Sequence, residues 1–554
     1  VKHSFLDRAI GIVSPARQAA RMRARLDVQR MQIAASSMSG YEAAKRERAA
    51  LRNFNARART ADEDVLPGIE DIRARSRHMM MNAPIARGAV NTVVTNVVGT
   101  GLRLSAQPDK AGLAATTMAT EAQIGAFADA AQREWRLFDR KEHADTNLML
   151  TTREMGELAF RTVMVSGDCF VLIVQGRSGV PFDFTLQLIE ADRVCNPNFR
   201  SDTDALAGGI EYDAGGTPMA IHVVDLSRTG TGPRSWRRLP MRAPDGSPRV
   251  LHLMHRERIG QSRGVPYLAP VMAALKDLDR FSEAELTAAV LNAMIAIVGQ
   301  SPDGSSPLKA EAEAAGAGAG GATPGLRRTD VGLEPGMILE GFMPGESIES
   351  FSSERPSTGF DPFVQAILRQ VGAALGIPFE LLVLHFTASY SASRGALLMA
   401  RQFFLARRAW LAREFCQPVY DLVLRNAILR GRIEAPGFLT DPAALDCWTV
   451  ARWTGPGMGQ INPQVEVRAA KEAVEARLAS RTRMTAELFG DDWEATETEL
   501  EWEEERIPAR SPAAPPAQLG HNGGPPIEDA PPPREDKPER GDQEDETQDE
   551  RNAA

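Results

Sequence analysis

Two carboxylates, Glu190 and Asp192, stand two residues apart in the strand-like run FTLQLIEADRV and would point to one face of it. Such a pair is the minimum for general acid and base work, one group protonated and one ionised. A turn-capping role for Asp192 explains the same residues with fewer demands and is preferred. The chain has 8 histidines, scattered along its length. His222, His252 and His255 come nearest to grouping, on predicted strands or their ends, and are read as structural. Cys169, Cys195, Cys416 and Cys447 lie far apart, with no CxxC pair and no Cys/His cluster. Four buried thiols in a reducing compartment fit better than disulfides or zinc. GxxxxGK[ST], HExxH and GxSxG are absent, so a phosphate-cradling loop and the common hydrolase signatures are missing. No nucleophile, base and oxyanion donors assemble. The expectation is a non-enzyme with no catalytic residue, metal or cofactor.

The elements around these residues suggest an α+β body. IEDIRARSRHMMMNAPIARGAVNTVVTNVVG reads as two helices broken at Pro84, stopped by Gly99 and Gly101, with GLRLSAQ as a short strand after them. Residues 121–143 form an amphipathic helix with Ile124, Phe127, Ala131, Trp135 and Phe138 on one face. A β-rich region follows: CFVLIVQG, FTLQLIEADRV, the hairpin GIEYDAGGTPMAIHVV and VLHLM. Pro266 to about Val298 is helical. Residues 301–326 are too rich in Gly, Ala and Ser to bury a core. Phe360–Gly376 is a helix, and Ser391 to about Leu429 is a very long one, with Pro418 as a possible kink and Gly431 as its stop. A last helical stretch covers about 463–489, and the Pro-rich, charged chain after Arg506 reads as disordered.

With 554 residues, 43% of them apolar, the chain should hold two or three packed units. Its net charge of −9 hides a polarity: residues 1–60 carry 13 Lys/Arg against 4 Asp/Glu, and residues 507–554 carry 5 against 11. A basic arm thus precedes an acidic body, and such an arm could touch nucleic acid or an acidic neighbour. The basic start has too short an apolar run for a signal peptide. The nearest approach to an uncharged apolar span, Leu286 to Val298, is short and contains Asn292, so a membrane role is not expected.

Several stretches, in order, resemble the lambda-type family of phage portal proteins. They are Arg73-Ala74-Arg75-Ser76-Arg77, NAPIARGAVNTVVTNVVGTGLRL, SGDCFVLIV, LQLIEADRV, GGIEYDAGGTPMAIHV, HRERIGQSRGVPYLAPVMAALKDL, ALGIPFELL, SYSASRGALLMARQFF and the segment from Ile461 to Glu494. The resemblance covers roughly residues 65–506. It departs in LHFTASYSASRG, where His385-Phe386 replaces an acidic stretch and Ala392 precedes Ser393-Arg394.

The resemblance implies a ring of typically twelve subunits at one capsid vertex, a conduit for double-stranded DNA in packaging and ejection. Implied partners are the terminase large subunit, head-completion or tail connector proteins, and capsid and scaffold proteins. The implied location is the virion, with assembly in the host cytoplasm. Mapped onto the chain, 1–64 is a basic N-terminal extension, 65–265 a wing and 266–298 a first stem helix. Residues 299–355 form a clip with the Gly/Ala-rich insertion, 356–382 a second stem helix and 383–392 a tunnel loop. Residues 393–506 supply the long helix, a wing return and a crown, and 507–554 a disordered acidic Pro-rich tail. His385, Thr387, Ser389, Tyr390 and Ser391 would face DNA, although the linker could instead merely cap a helix. Arg394 would meet phosphate or a carboxylate of the next subunit, the second being favoured. Gln261, Arg263, Gly264 and Pro266 would shape the start of the first stem helix. Two other readings compete: a hydrolase using Asp192 or Glu190, and a nucleic-acid-binding adaptor using the basic N-terminal arm.

Overall fold

The computed structural model describes residues 23–24, 56–176, 180–225, 234–293, 297–300, 347–350, 360–385, 390–457 and 463–506. Helices α1 (Ala61–Val65), α2 (Ile69–Asn82) and α3 (Pro84–Val97) open the body. Pro84 separates the last two, since its ring forces the preceding Ala83 into the extended region at φ −103°. Strand β1 (Arg103–Ala106) follows, then α4 (Lys110–Thr116), α5 (Glu121–Phe138), the one-turn α6 (Lys141–Ala144) and α7 (Thr152–Ser166). The face predicted for α5 is the buried one: Ile124, Phe127, Ala131, Trp135 and Phe138 are all in the core.

The eleven strands of the described residues lie in two antiparallel sheets, of three and four strands, and two strand pairs. β2 (Asp168–Gln175), β3 (Phe184–Glu190) and β8 (Val250–Met254) form a sheet ordered β3-β2-β8. A second sheet is ordered β4-β5-β6-β7, from Leu206–Ala207, Ile210–Tyr212, Pro218–Asp225 and Ser235–Pro240. β2 is apolar on both faces because both are covered. Cys169 and Val171 enter the main core, while Phe170 and Leu172 join Ile210, Ile221 and Val223 in a smaller core between the sheets.

The chain then leaves this body and returns to it. A 3₁₀ turn at Ala269–Val271 leads into α8 (Met272–Ala293), which ends before β9 (Ile297–Gln300). The helix is therefore shorter at both ends than the predicted 266–298. β9 pairs antiparallel with β10 (Ser347–Ser350), and α9 (Phe360–Leu375) brings the chain back beside α8. Phe281 holds the two helices together, with ring centroids 5.4 Å from Phe360 and 5.0 Å from Phe363. Gly376, at φ +68°, ends α9, and α10 (Phe379–Val383) is a separate short helix. The Gly/Ala-rich 301–326 segment and the tail after Arg506 lie outside the described residues.

The predicted long helix is α11 (Tyr390–Leu411) and α12 (Gln417–Leu429), joined through a π-helical turn at Ala412–Cys416. Pro418 explains the turn: it has no N–H and its ring presses on the carbonyl four residues back. A wider turn, with the Gln417 N–H reaching Ala412 O, carries the helix past it without a break. α13 (Pro442–Trp448), β11 (Ala451–Thr454), α14 (Pro463–Glu475) and α15 (Arg481–Leu488) follow. β11 pairs antiparallel with β1, so the late part of the chain closes onto the first. A second compact unit begins at Glu494. Its described part is the acidic helix α16 (Trp493–Arg506), where Arg506 lies 3.9 Å from the ring centre of Trp502.

Trp448 is the largest fully buried side chain of the closure. It packs 4.4 Å from the Phe127 ring and donates its indole N–H to Pro436 O at 3.0 Å. Trp448→Ala should therefore cost about 3–5 kcal/mol of stability. Urea denaturation of the purified variant checks this, and a loss under about 1 kcal/mol would contradict the packing.

Candidate functional site

The densest polar constellation is centred on Asp168, the first residue of β2 and fully buried. Its Oδ1 accepts from Arg73 Nη2 at 2.8 Å and Arg263 Nη2 at 3.1 Å. Its Oδ2 accepts from Arg263 Nε at 2.6 Å, the Gly264 N–H at 3.3 Å and His252 Nε2 at 3.3 Å. Arg73 comes from α2 and also donates through Nε to Ser166 O at 2.8 Å. The three remaining N–H groups of Arg263 reach backbone carbonyls, Nη1 those of Val194 and Gly208 at 2.7 and 2.6 Å and Nη2 that of Ala191 at 2.7 Å. All five donors of the Arg263 fork are thereby satisfied.

The backbone at the junction admits only glycine. Gly167 has φ +90°, and a Cβ there would lie 2.2 Å from Gly264 O. A Cβ on Gly264 would lie 2.0 Å from Gly167 O. These two glycines let the segment before α8 pass directly against the start of β2, which is what puts Arg263 within reach of Asp168. Phe170 supplies the apolar wall, with His252 stacked on it at 4.3 Å and the Arg263 guanidinium 5.2 Å from its ring centre.

Electrostatics follow from this burial. Desolvation alone would raise the Asp168 carboxyl, but Arg263 and Arg73 outweigh it and hold the group ionised, well below the usual carboxylate range. Burial and the neighbouring Arg263 pull Arg73 down to about 10, leaving it charged at neutral pH. Burial lowers His252 despite its bond to Asp168, and burial with Arg407 and Arg413 nearby lowers His255 to about 3.

Glu190 ends β3 and Asp192 lies in the 3₁₀ turn beyond it; both face Arg77 of α2, with Glu190 Oε1 3.6 Å from Nη1 and Asp192 in direct contact with Nη2. Asp192 is also 3.8 Å from Arg73. Turn-capping by Asp192 is thus corrected: its carboxylate makes ion pairs, and no side chain caps that turn. His222 bonds Glu211 at 2.6 Å across neighbouring strands. Gln261 accepts from the Glu257 and Arg258 N–H groups and donates to Arg263 O at 2.8 Å, folding the turn that presents Arg263. Pro266 is buried, and the next residue, Tyr267, bonds Met164 O through its N–H at 2.9 Å.

The segment 383–392 is only partly described. His385 is exposed, with its N–H on Glu380 O at 3.1 Å, after Leu384 at φ +54° ends α10. Thr387 and Ser389 lie outside the described residues; Tyr390 and Ser391 begin α11, and Arg394 is half-buried on its first turns. The donors to Asp168 are Arg73, Arg263, Gly264 and His252, so His385 is not among them. The pairing of Arg73 with Asp168 has no local signal, since RARSR and SGDCFV lie far apart in the chain and only the fold brings them together.

A chain whose densest buried charges bind segment to segment is built as a scaffold. A family model described as "Phage portal protein, lambda family" matches residues 47–408, and the chain belongs to that family. It is similar to the portal protein of Escherichia phage N15, 26% identical over 464 residues that cover 80% of this chain and 86% of that one. Portal protein B of Escherichia phage lambda is 24% identical over 464 residues, covering 80% and 85%. The probable portal protein of Halomonas phage phiHAP-1 is 22% identical over 428 residues, covering 75% and 76%. Among solved structures, a chain of the virion of a native gene transfer agent particle is 15% identical with a TM-score of 0.40, covering 75% of this chain and 92% of that one. The role is that of a phage portal protein, a structural component of the virion. Among the described residues no helix is long and apolar enough to cross a membrane.

Removing the Asp168 charge strands two buried guanidiniums. Asp168→Asn should cost about 3–5 kcal/mol, whereas Arg77→Ala, at a half-exposed cluster, should cost no more than about 1 kcal/mol. Acid acts in sequence. The unfolded chain protonates its histidines near pH 6.5 while His255 and His252 stay neutral in the fold, so stability falls as pH drops through that range. The contribution of Asp168, whose folded pKa is depressed, persists until pH falls below about 4, the unfolded carboxylate value. Thermal unfolding from pH 8 to pH 4 checks both, and a wild-type midpoint for Asp168→Asn would refute the junction.

Proposed function

We propose that this chain forms a ring at one capsid vertex, typically of twelve subunits, through which duplex DNA passes during packaging and ejection. The observation that carries this reading is the excursion α8–β9, β10–α9. Two helices leave the body side by side and return, joined at their far ends by a strand pair. On this pair Leu286, Val290 and Phe363 are 66%, 48% and 50% exposed. Apolar side chains left bare on a helix pair call for a neighbour, and in a ring the neighbour is the next subunit.

In this reading α8 and α9 form the stem, residues 299–355 the clip and 383–392 the tunnel loop. His385, Thr387, Ser389, Tyr390 and Ser391 face the duplex, and Arg394 pairs with a carboxylate of the next subunit. The terminase large subunit docks during packaging in the host cytoplasm, and head-completion or tail connector proteins replace it later. Capsid and scaffold proteins surround the ring. A conduit must not grip, because each phosphate contact adds affinity and slows sliding; a segment offering hydroxyls and one tyrosine, with no lysine, suits that need.

Negative-stain microscopy of the purified full-length chain, with scaffold supplied, should show rings with a central channel. Leu286→Glu combined with Val290→Glu, both exposed on α8, should abolish rings while the circular dichroism spectrum stays that of the folded subunit. Deleting residues 1–55 should leave rings intact; an adaptor that held DNA through this arm would instead lose DNA retention alone. Compact globules with no channel in the wild-type sample would end the ring reading.

A further inference from the structure

A cleft of about 480 Å³ lies between α11, α15 and β11, away from the Asp168 junction. Its apolar floor comes from Leu381, Leu397, Phe404, Ala409 and Trp453. Arg401, Arg408, Arg452 and Arg483 also line it, against a single carboxylate, Glu487. Glu487 already holds Arg483 at 2.9 Å and stands 3.7 Å from Arg401, so one negative charge serves two arginines. Arg408 is fixed in place: it donates to the carbonyls of Asn96, Val97 and Pro456 at 2.9–3.1 Å. Its charge is not neutralised by those carbonyls, and burial with the nearby Arg401 pulls it down to about 10. The cleft is therefore a cationic, partly apolar hollow on a chain whose net charge is −9.

Charge and shape together select the occupant. An apolar floor rewards a side chain removed from water. Several guanidiniums around it reward carboxylates, which they bind in a fork geometry. A nucleic-acid duplex offers anions on a convex, rigid surface and has no apolar knob to fill the floor. We infer that this cleft is a docking socket for an acidic peptide segment of a partner protein, one that inserts a large apolar side chain and sets carboxylates against Arg401, Arg452 and Arg483. The socket is distinct from the stem surfaces invoked for the ring, so its test does not depend on ring assembly.

The full-length chain is titrated against a fluorescein-labelled peptide of twelve residues, made of Asp and Glu with one Leu and one Phe, and anisotropy is read. A matched peptide with Ser at both apolar positions and an unlabelled DNA duplex as competitor complete the set. The acidic apolar peptide should bind with micromolar affinity, and the Ser peptide should bind roughly tenfold more weakly or worse, a loss of ~1.4 kcal/mol. Arg401→Glu with Arg452→Glu should weaken binding by a similar factor or more. Ala409→Trp, which fills the hollow and leaves the charges alone, should do the same, with the unfolding midpoint of each variant kept. Equal binding of both peptides, or unchanged binding to Ala409→Trp, would overturn the socket and leave only charge attraction. Displacement by the duplex as effective as that by unlabelled peptide would assign the cleft to nucleic acid instead. No peptide binding together with loss of rings in Ala409→Trp would assign it to a second copy of this chain.

Discussion

Asp168 is the constraint on which the rest of the fold depends. One dry carboxylate, accepting five hydrogen bonds, gathers α2 through Arg73, the segment before α8 through Arg263, and the sheet through its own strand. Arg263 extends the same point to the carbonyls of Ala191, Val194 and Gly208. Buried ion pairs often add little net stability over an apolar replacement, because desolvation offsets attraction. What this one adds is direction. An apolar contact tolerates sliding, whereas a guanidinium fork with every donor satisfied fixes the angle at which the chain leaves β8 and enters α8. Five of the nine stretches that carry the family resemblance meet here, which explains why residues so far apart in sequence read as one signature.

From that point the stem pair and the long helix are positioned by different means. Tyr267, four residues after Arg263, donates its hydroxyl to Leu375 O at the end of α9, so the root of α8 also holds the root of α9. The long helix is set by its side contacts. Arg408 caps the last carbonyls of α3, and Arg432, just past α12, reaches Glu134 on α5 and Pro181 O. Between these anchors the π turn absorbs Pro418, so both halves of the helix stay attached to one core. β11 completes the closure by pairing with β1.

The local elements were legible in the sequence because their signals are local. The five apolar positions of α5 recur at helical spacing, the double-faced apolar run of β2 marks a covered strand, and Pro84, Gly376 and Gly431 stop helices where the backbone demands it. α7 was passed over although Thr151 and Glu154 form a capping box that announces its start. The partner of β1 was not legible, since GLRLSAQ gives no hint that ARWT, hundreds of residues later, will lie beside it. The candidate site shows the same boundary. Arg263, Gly264 and Gln261 stood out as a motif shaping a helix start, but the carboxylate that Arg263 meets lies on another strand. Asp192 looked like a cap because caps are local, and it became an ion-pair partner because α2 arrives with Arg77.

The arginines of this body bear on the conduit reading more than its net charge does. Arg73 and Arg263 are buried on Asp168, Arg408 is held by three carbonyls, and Arg430 and Arg432 are engaged by Asp183 and Glu134. A guanidinium whose donors already point at protein acceptors must lose those bonds before it can take a phosphate, so its charge acts only at a distance and through screening. Cations used in this way hold the scaffold together without offering adhesive points to DNA. Under the proposed function, these five engaged arginines hold the scaffold together and add little grip on a polyanion passing through the ring.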